Sequence, residues 1–583
     1  MVLSARMRLV QICSACLNGK GRMSQPGTPL RLERFIRLFM GMGLFMLLWP
    51  SSPSAQWSTD PSDNLIIGYG GSPQICSDSA GGAYVTFENG TPQMIALQRV
   101  NSQGYLPWAG PRTLQGILME TSYAYLAADG HNGVIVAFED IQRLGGFPPR
   151  YIIRVRAQRV DTAGNLLWGP AGVRVSVAEQ NQGADGIAKD GHGGCFAAFG
   201  DSTGRMWLQR LDSNGDRMWG DSGIVVGDAY SPYFYMMSDG QDGCILLLSG
   251  IAQRLNAVGQ KMWGDSGVAT TGMGILNVAS DGMCGVVIAG MKRVSYNGGD
   301  SYFAAKCQRV DSSGQIRWGS DGLVLADSLQ SIVDNPPGIT AGTNRGGGAT
   351  FAWQKRVRPG ILRSFTQRIL PEGTPVFPVG GIRVSTYDSS ANGTWSITTS
   401  NDESKIYMLV DGRYSGSTFA QKIDSAGSRR WDSTDVLISS HQLGDYKSVS
   451  DGAGGVVIVG IDQTDYCIRA QQCSRNGHLG EVLTSVGDHP EVNSLPLGFV
   501  LYQNFPNPFN PATSIRYELQ NGDKAKIDVL DLLGRQIRVL VDGYQSKGRH
   551  EVVLVADGLA SGMYFYRLST SKGTQVRKLL ILK

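Results

Sequence analysis

The chain has 583 residues, a formal net charge of +4, 17% charged residues and 77 glycines. A balance this close to neutral, with no clustered Lys/Arg face, excludes nucleic-acid binding. So much glycine and so little charge fit a secreted all-β protein built on many tight turns.

Residues 1–22 precede a usable start at Met23, as an extension that a misplaced start would add. Arg31, Arg34 and Arg37 then lead into an apolar run over 38–49, followed by Ser51, Ser52, Ser54 and Ala55. This is the order of a secretory signal peptide, with cleavage expected after Ala55. The run is well short of the ~20 apolar residues that span a bilayer, so no transmembrane span is expected in the mature chain. Cys13-x-x-Cys16 lies in the extension, and without a second pair it makes no zinc site.

The next 430 or so residues are an internal repeat. Gln98, Gln158, Gln209, Gln253, Gln308, Gln367, Gln421 and Gln471 are each followed six residues later by Gly104, Gly164, Gly215, Gly259, Gly314, Gly373, Gly427 and Gly477. Ten residues after each glutamine stand Trp108, Trp168, Trp219, Trp263, Trp318, Phe377 and Trp431; the eighth copy has Glu481. Asp78, Asp129, Asp190, Asp239, Asp281 and Asp451 open glycine turns ahead of the glutamines, while copies six and seven are degenerate and are aligned on Thr343 and Asn401. Each unit reads strand, Asp turn, strand, variable loop, strand with Gln, Gly turn, strand with Trp, which is the blade of a β-propeller. The expected architecture is all-β: an eight-bladed β-propeller over 56–486, a linker over 487–494, and a small Ig-like β-sandwich over 495–583. The segment beginning at Trp57 parallels the one beginning at Trp431, so the N-terminus is expected to supply the outer strand of the last blade and remove an open sheet edge.

Apparent catalytic motifs dissolve into the repeat. Gly220-Asp-Ser-Gly223 and Gly264-Asp-Ser-Gly267 occupy one turn position after Trp219 and Trp263. None of the six histidines has i, i+4 ligand spacing, and the Asp turns fall short of a calcium loop, so they are read as side chains capping their own turns. No catalytic residue, metal ligand or cofactor is legible. The seven cysteines from Cys76 to Cys473 are read as buried free thiols. Candidate ligand-binding residues lie where second-to-third loops depart from the repeat: Arg143, Phe147 and Arg150; Lys292, Arg293, Tyr296 and Tyr302; Lys355, Arg356 and Arg358. Guanidinium and aromatic groups there suit a glycan or a surface protein. The other reading is a secreted glycan-active enzyme, a polysaccharide lyase or glycosidase, which would need carboxylates converging near the channel.

Alternating apolar segments separated by turns return over 514–519, 526–530, 536–541, 549–555, 563–570 and 575–582, the pattern of a small sandwich. Pro506, Pro508 and Pro511 cannot donate ladder hydrogen bonds, so their segment should run extended along an edge. The run Pro506-Asn507-Pro508-Phe509-Asn510-Pro511, the Asp531-Leu-Leu-Gly534-Arg turn, Gly558-Leu-Ala-Ser-Gly562-Met-Tyr564-Phe-Tyr566, and the apolar terminus with Lys578 and Lys583 together resemble the type A C-terminal sorting domain of the type IX (Por) secretion system of Bacteroidetes and their relatives. The resemblance implies that the secretion machinery is a partner and that the protein is exported to the cell surface or released. It covers only this tail.

Overall fold

The computed structural model describes residues 57–581, except 147–149, 229–233, 271–272, 298–299, 331–338, 359–360, 386–391, 401–402, 412–415, 432–434, 481–498, 502–503, 505–508, 510, 520 and 532–534. The signal segment, the linker, Phe147, Pro506, Asn507, Pro508, Asn510, Gly534 and Lys583 lie outside the described residues, as do the side chains of Tyr296 and Arg358.

Residues 57–480 form a β-propeller. Eight four-stranded antiparallel sheets occur there among the described residues, numbered here as blades 1 to 8 from Gly71 onward. Their innermost strands are Gly71–Ser77, Glu120–Ala128, Gln182–Lys189, Phe234–Ser238, Gly274–Ser280, Ile339–Thr343, Asn392–Thr399 and Leu443–Ser450. Each packs beside the next, and the last packs against the first, which closes the ring. Blade 8 takes its outermost strand from the start of the chain: Leu65–Tyr69 pairs antiparallel with Cys467–Cys473, Leu65 opposite Ala470 and Tyr69 opposite Cys467. Trp57 is 3% exposed and packs among Ala83, Val85, Val457 and Ile468, between blades 8 and 1.

The repeated residues staple seven of the eight blade junctions in the same way, and at the eighth the Phe377 ring packs against Gly427 without an indole donor. Gln209 accepts from the Trp219 amide through Oε1 and donates through Nε2 to the Gly220 carbonyl, fixing the turn that carries the indole. That indole donates across the junction to the Ala257 carbonyl; Trp57, Trp108, Trp168, Trp263, Trp318 and Trp431 donate likewise to Ser102, Thr162, Ser213, Ser312, Pro371 and Arg475. Each acceptor opens a Gly turn of the neighbouring blade. A Cβ on Gly314 would come within 2.9 Å of Trp263, and Gly314 has φ +83°, so only glycine fits there. The tryptophans are not on the fourth strands, as the sequence reading placed them. They sit in the turns before those strands, where the ring can lie across the junction.

The Asp turns are capped as expected. Asp190 Oδ1 accepts from the amides of His192 and Gly194, and its Oδ2 pairs with Arg210 at 3.0 Å. Asp78, Asp129, Asp239 and Asp281 repeat this with Arg99, Arg159, Arg254 and Arg309, and Asp451 uses Gln472. In the degenerate copies the anchor stands one residue away from Thr343 and Asn401: Asn344 and Ser400 close the turns on Gly348 and Ser404. Lys422 then replaces arginine, reaching Ser400 and the Gly454 carbonyl.

None of the described cysteines is in a disulfide; six are buried and Cys76 is half-buried.

Residues 499–581 form two sheets over one core. Phe499–Leu501, Ala512–Leu519 and Gly548–Val555 make the first; Gln536–Gln545, Asp523–Leu530, Gly562–Thr570 and Gly573–Ile581 make the second. Ile515, Tyr517, Ile527, Val529, Tyr566, Leu568 and Leu579 fill the space between them. Phe499–Leu501 is a strand absent from the sequence reading, which began at 514.

A candidate ligand face

Chain direction assigns the loops to faces. Every innermost strand ends at an Asp turn or its Asn344 or Ser400 counterpart and every third strand ends at a Gly turn, so these share one face, on which the Asp–Arg pairs lie. The links between blades and the turns joining second to third strands lie on the opposite face.

On that second face the segments expected as variable loops prove to be strand. Val134–Gly145 pairs with Arg150–Val160 in blade 2, Val286–Asn297 with Asp300–Val310 in blade 5, and Ala349–Arg358 with Ile361–Ile369 in blade 6. These strands run to 12, 11, 12, 11, 10 and 9 residues, against 5 to 7 for second and third strands elsewhere in the ring, so three hairpins extend past the blades. Arg143, Arg150, Lys292, Arg293 and Lys355 are exposed on the extensions, and Tyr302 and Arg356 are half-buried. Arg143 pairs with Glu120 at 3.1 Å, and Lys292 lies 3.5 Å from Asp321, which Lys306 also holds. The hairpins of adjacent blades 5 and 6 bring Lys292, Arg293, Lys355 and Arg356 to one side of the ring. Arg143 and Arg150 stand apart on blade 2, with blades 3 and 4 between.

Nearer the axis lies a group that sequence reasoning missed. Glu139, on the second strand of blade 2, is 8% exposed, and its Oε1 accepts from the Ala184 amide of blade 3 at 3.1 Å. Burial, then the nearby carboxylates of Asp185 and Glu88, push its pKa up to about 7, against the pull of the Ala184 hydrogen bond. Asp185 is raised by its own burial, and the Tyr125 phenol by burial, then by Asp185, Glu139 and Tyr123. In blade 1, Glu88 accepts from Ser122 Oγ at 2.8 Å and from the Tyr123 amide at 2.9 Å. Each glutamate thus reaches across to the innermost strand of the following blade. The signal was present in the repeat: Phe87-Glu88 and Phe138-Glu139 put a carboxylate where blade 3 has Phe199-Gly200.

In the C-terminal domain, Phe509 is 2% exposed and its amide donates to the Leu580 carbonyl at 3.0 Å, docking Phe509 beside the final strand. Pro511 supplies the carbonyl for the Ala556 amide. Gly562 opens a strand, the Tyr564 hydroxyl donates to the Ala560 carbonyl, and Lys578 is exposed opposite Phe565. Residues 503–582 match the family model described as the secretion system C-terminal sorting domain. The terminal domain is a sorting domain of this kind. Its presence indicates export by the type IX secretion system to the cell surface or the extracellular space, with that machinery as a partner. Among the described residues no helix is long and apolar enough to cross a membrane.

No curated protein sequence matches the chain. Among solved structures, the chain is similar to a polysaccharide lyase of family 25, an ulvan lyase bound to -[GlcA(1-4)Rha3S]-, at 10% identity and TM-score 0.37, covering 71% of this chain and 96% of that one. A protein of unknown function from Dyadobacter fermentans aligns at 8% identity and TM-score 0.29, covering 72% and 97%. An exo-1,5-alpha-L-arabinanase from a bovine ruminal metagenomic library aligns at 13% identity and TM-score 0.23, covering 54% and 97%. At these values the similarities transfer no activity.

Proposed function

We propose that the exported chain is a binding protein of the cell surface or extracellular space, and that its propeller takes an acidic glycan on the hairpin face. The observation behind this reading is the confinement of long hairpins to blades 2, 5 and 6, with Arg143, Arg150, Lys292, Arg293, Lys355 and Arg356 on their extensions. Guanidinium groups held on paired strands are preorganised for carboxylate or sulfate. The same reading includes a signal peptide ending at Ala55, a propeller domain over 56–486, a linker over 487–494 and an Ig-like sorting domain over 495–583. A glycan array probed with the mature chain tests it. Arg150→Ala, Arg293→Ala and Arg356→Ala together should weaken retention of acidic polysaccharides at least tenfold with Tm unchanged; unaltered retention would overturn the assignment.

Glu139 favours a second reading, a glycan-active enzyme. A carboxyl group with a pKa of about 7, flanked by Asp185 and Tyr125, has the protonation range of a general acid at neutral pH. Release of reducing or unsaturated ends from a polysaccharide panel, abolished by Glu139→Gln, would establish it; no release from any member would exclude it for that panel.

A further inference from the structure

Six of the eight innermost strands carry a bulge near the hairpin face, and the bulges are of two kinds. In blades 3, 5 and 7 a single residue is inserted, between Ala184 and Gly186, Ile275 and Asn277, and Thr394 and Ser396. In blades 8, 1 and 2, which are consecutive around the ring, two residues oppose one: Asp445 and Tyr446 face Gly460, Ser72 and Pro73 face Phe87, and Tyr123 and Ala124 face Phe138. The first residue of each two-residue bulge is left-handed, with φ of 45° at Asp445, 51° at Ser72 and 48° at Tyr123. A glycine is the usual occupant of such a position, since an L side chain there is sterically opposed. A tyrosine is a marked exception.

Three side chains are therefore kept where the backbone disfavours any side chain, in adjacent blades and at one level of the innermost strands that surround the channel. All three are exposed, Tyr123 by 62%. The bulge of Tyr123 is held from outside, because Glu88 of blade 1 binds both its amide and the Ser122 hydroxyl. Strained backbone maintained by its surroundings is where ligand contacts concentrate. What these residues share is their suitability for a polyhydroxylated ring: an aromatic face for stacking, a carboxylate that accepts two hydroxyls, and a hydroxyl that both donates and accepts. Lys447 is exposed two residues beyond Asp445, and Glu88, Glu139 and Asp185 beside the arc disfavour an anionic ring.

We propose that Ser72, Tyr123 and Asp445 form a subsite at the channel mouth for a neutral sugar residue, with Tyr123 as the stacking platform and Asp445 and Ser72 as hydroxyl partners. The subsite adds to the glycan-binding reading and rests on it only for ligand class, since it shares no residue with the hairpins.

The test is affinity electrophoresis of the mature chain through gels containing xylan, laminarin or hydroxyethyl cellulose, beside gels containing alginate. The wild-type chain should be retarded by at least one neutral polymer. Ser72→Gly, Tyr123→Gly and Asp445→Gly combined should weaken that retardation at least tenfold while Tm rises, because glycine relieves the left-handed strain. Tyr123→Asn, which tolerates this backbone and removes only the ring, should by itself lose most of the affinity. Retardation undiminished in both variants, or no retardation of the wild type by any neutral polymer, would overturn the subsite. Alginate retardation that survives the glycine variants and is lost in the hairpin variants would leave the acidic-glycan reading standing by itself.

Discussion

The two faces of the propeller obey different rules. On the turn face every position is dictated by a neighbour: an Asp carboxylate caps its own turn and holds an arginine, and an indole crosses the junction to a carbonyl of the next blade. On the hairpin face blades differ in strand length, in bulge type and in charge. Residues that repeat here are the ones that build the ring, and residues that break the repeat are the ones the proposed ligand face draws on. The contrast explains why the Asp-Gly turns, the most conspicuous motifs of the chain, spend their carboxylates on capping and on ion pairs within the ring.

That contrast can be broken in several places. The largest effect is expected outside the propeller altogether: a chain ending at Gly487 should lose export completely while its passenger folds inside the cell, read by fractionating cells of a host with the type IX machinery. Export of the truncated chain at normal yield would reduce the terminal domain to an accessory.

Within the ring, Trp57→Ala should cost about 3–5 kcal/mol, the range for a large buried aromatic, with a further loss because the indole also donates to the Ser102 carbonyl at 3.0 Å. Urea denaturation followed by tryptophan fluorescence checks it, and an unchanged midpoint would mean that ring closure does not need this side chain. Asp239→Ala leaves Arg254 on the turn without its carboxylate and should cost about 3 kcal/mol, as removal of one partner from a largely buried ion pair does, with ligand affinity at temperatures below the transition left intact. A ligand defect in folded Asp239→Ala protein would place function on the wrong face.

The smallest effect is at Glu139. Its folded pKa lies near 7, above the ordinary carboxylate value of an unfolded chain, so its stabilising contribution is fully present below about pH 4.3 and is lost as pH rises to 7. Glu139→Gln should flatten the stability profile across that window and raise Tm above pH 7 by about a degree or two, given the small Tm shift per kcal/mol in a chain this long. A parallel profile would show that the carboxyl is solvated.

Much of the fold was legible because a propeller repeats. Glutamine and glycine recur at fixed offsets since each serves the same junction eight times, tryptophan at seven of them, and the parallel between the segments at Trp57 and Trp431 disclosed the closing strand. Two units resisted: once Asn344 and Ser400 replace aspartate, the turn survives on backbone hydrogen bonds, which leave a weaker trace in side-chain identity. The candidate ligand residues were legible only as departures from the pattern, and their chemistry was mistaken for loop chemistry because a hairpin that extends a blade has no turn signal at the point where the others end.

By itself, the sequence determined the class of fold, the position of the turns and the destination of the chain, because each is set by local residue identity: glycine where φ is positive, alternation along a strand, a sorting tail with its own motifs. Tertiary structure decided everything that depends on which blade stands beside which. Glu88 and Glu139 are 51 residues apart in the chain, yet each reaches the innermost strand of the following blade. Asp445 comes from the far end of the repeat, and its blade stands beside that of Ser72, next to that of Tyr123, only because the ring closes. Proximity across a closed ring is a property of its geometry, and no local run of residues encodes it.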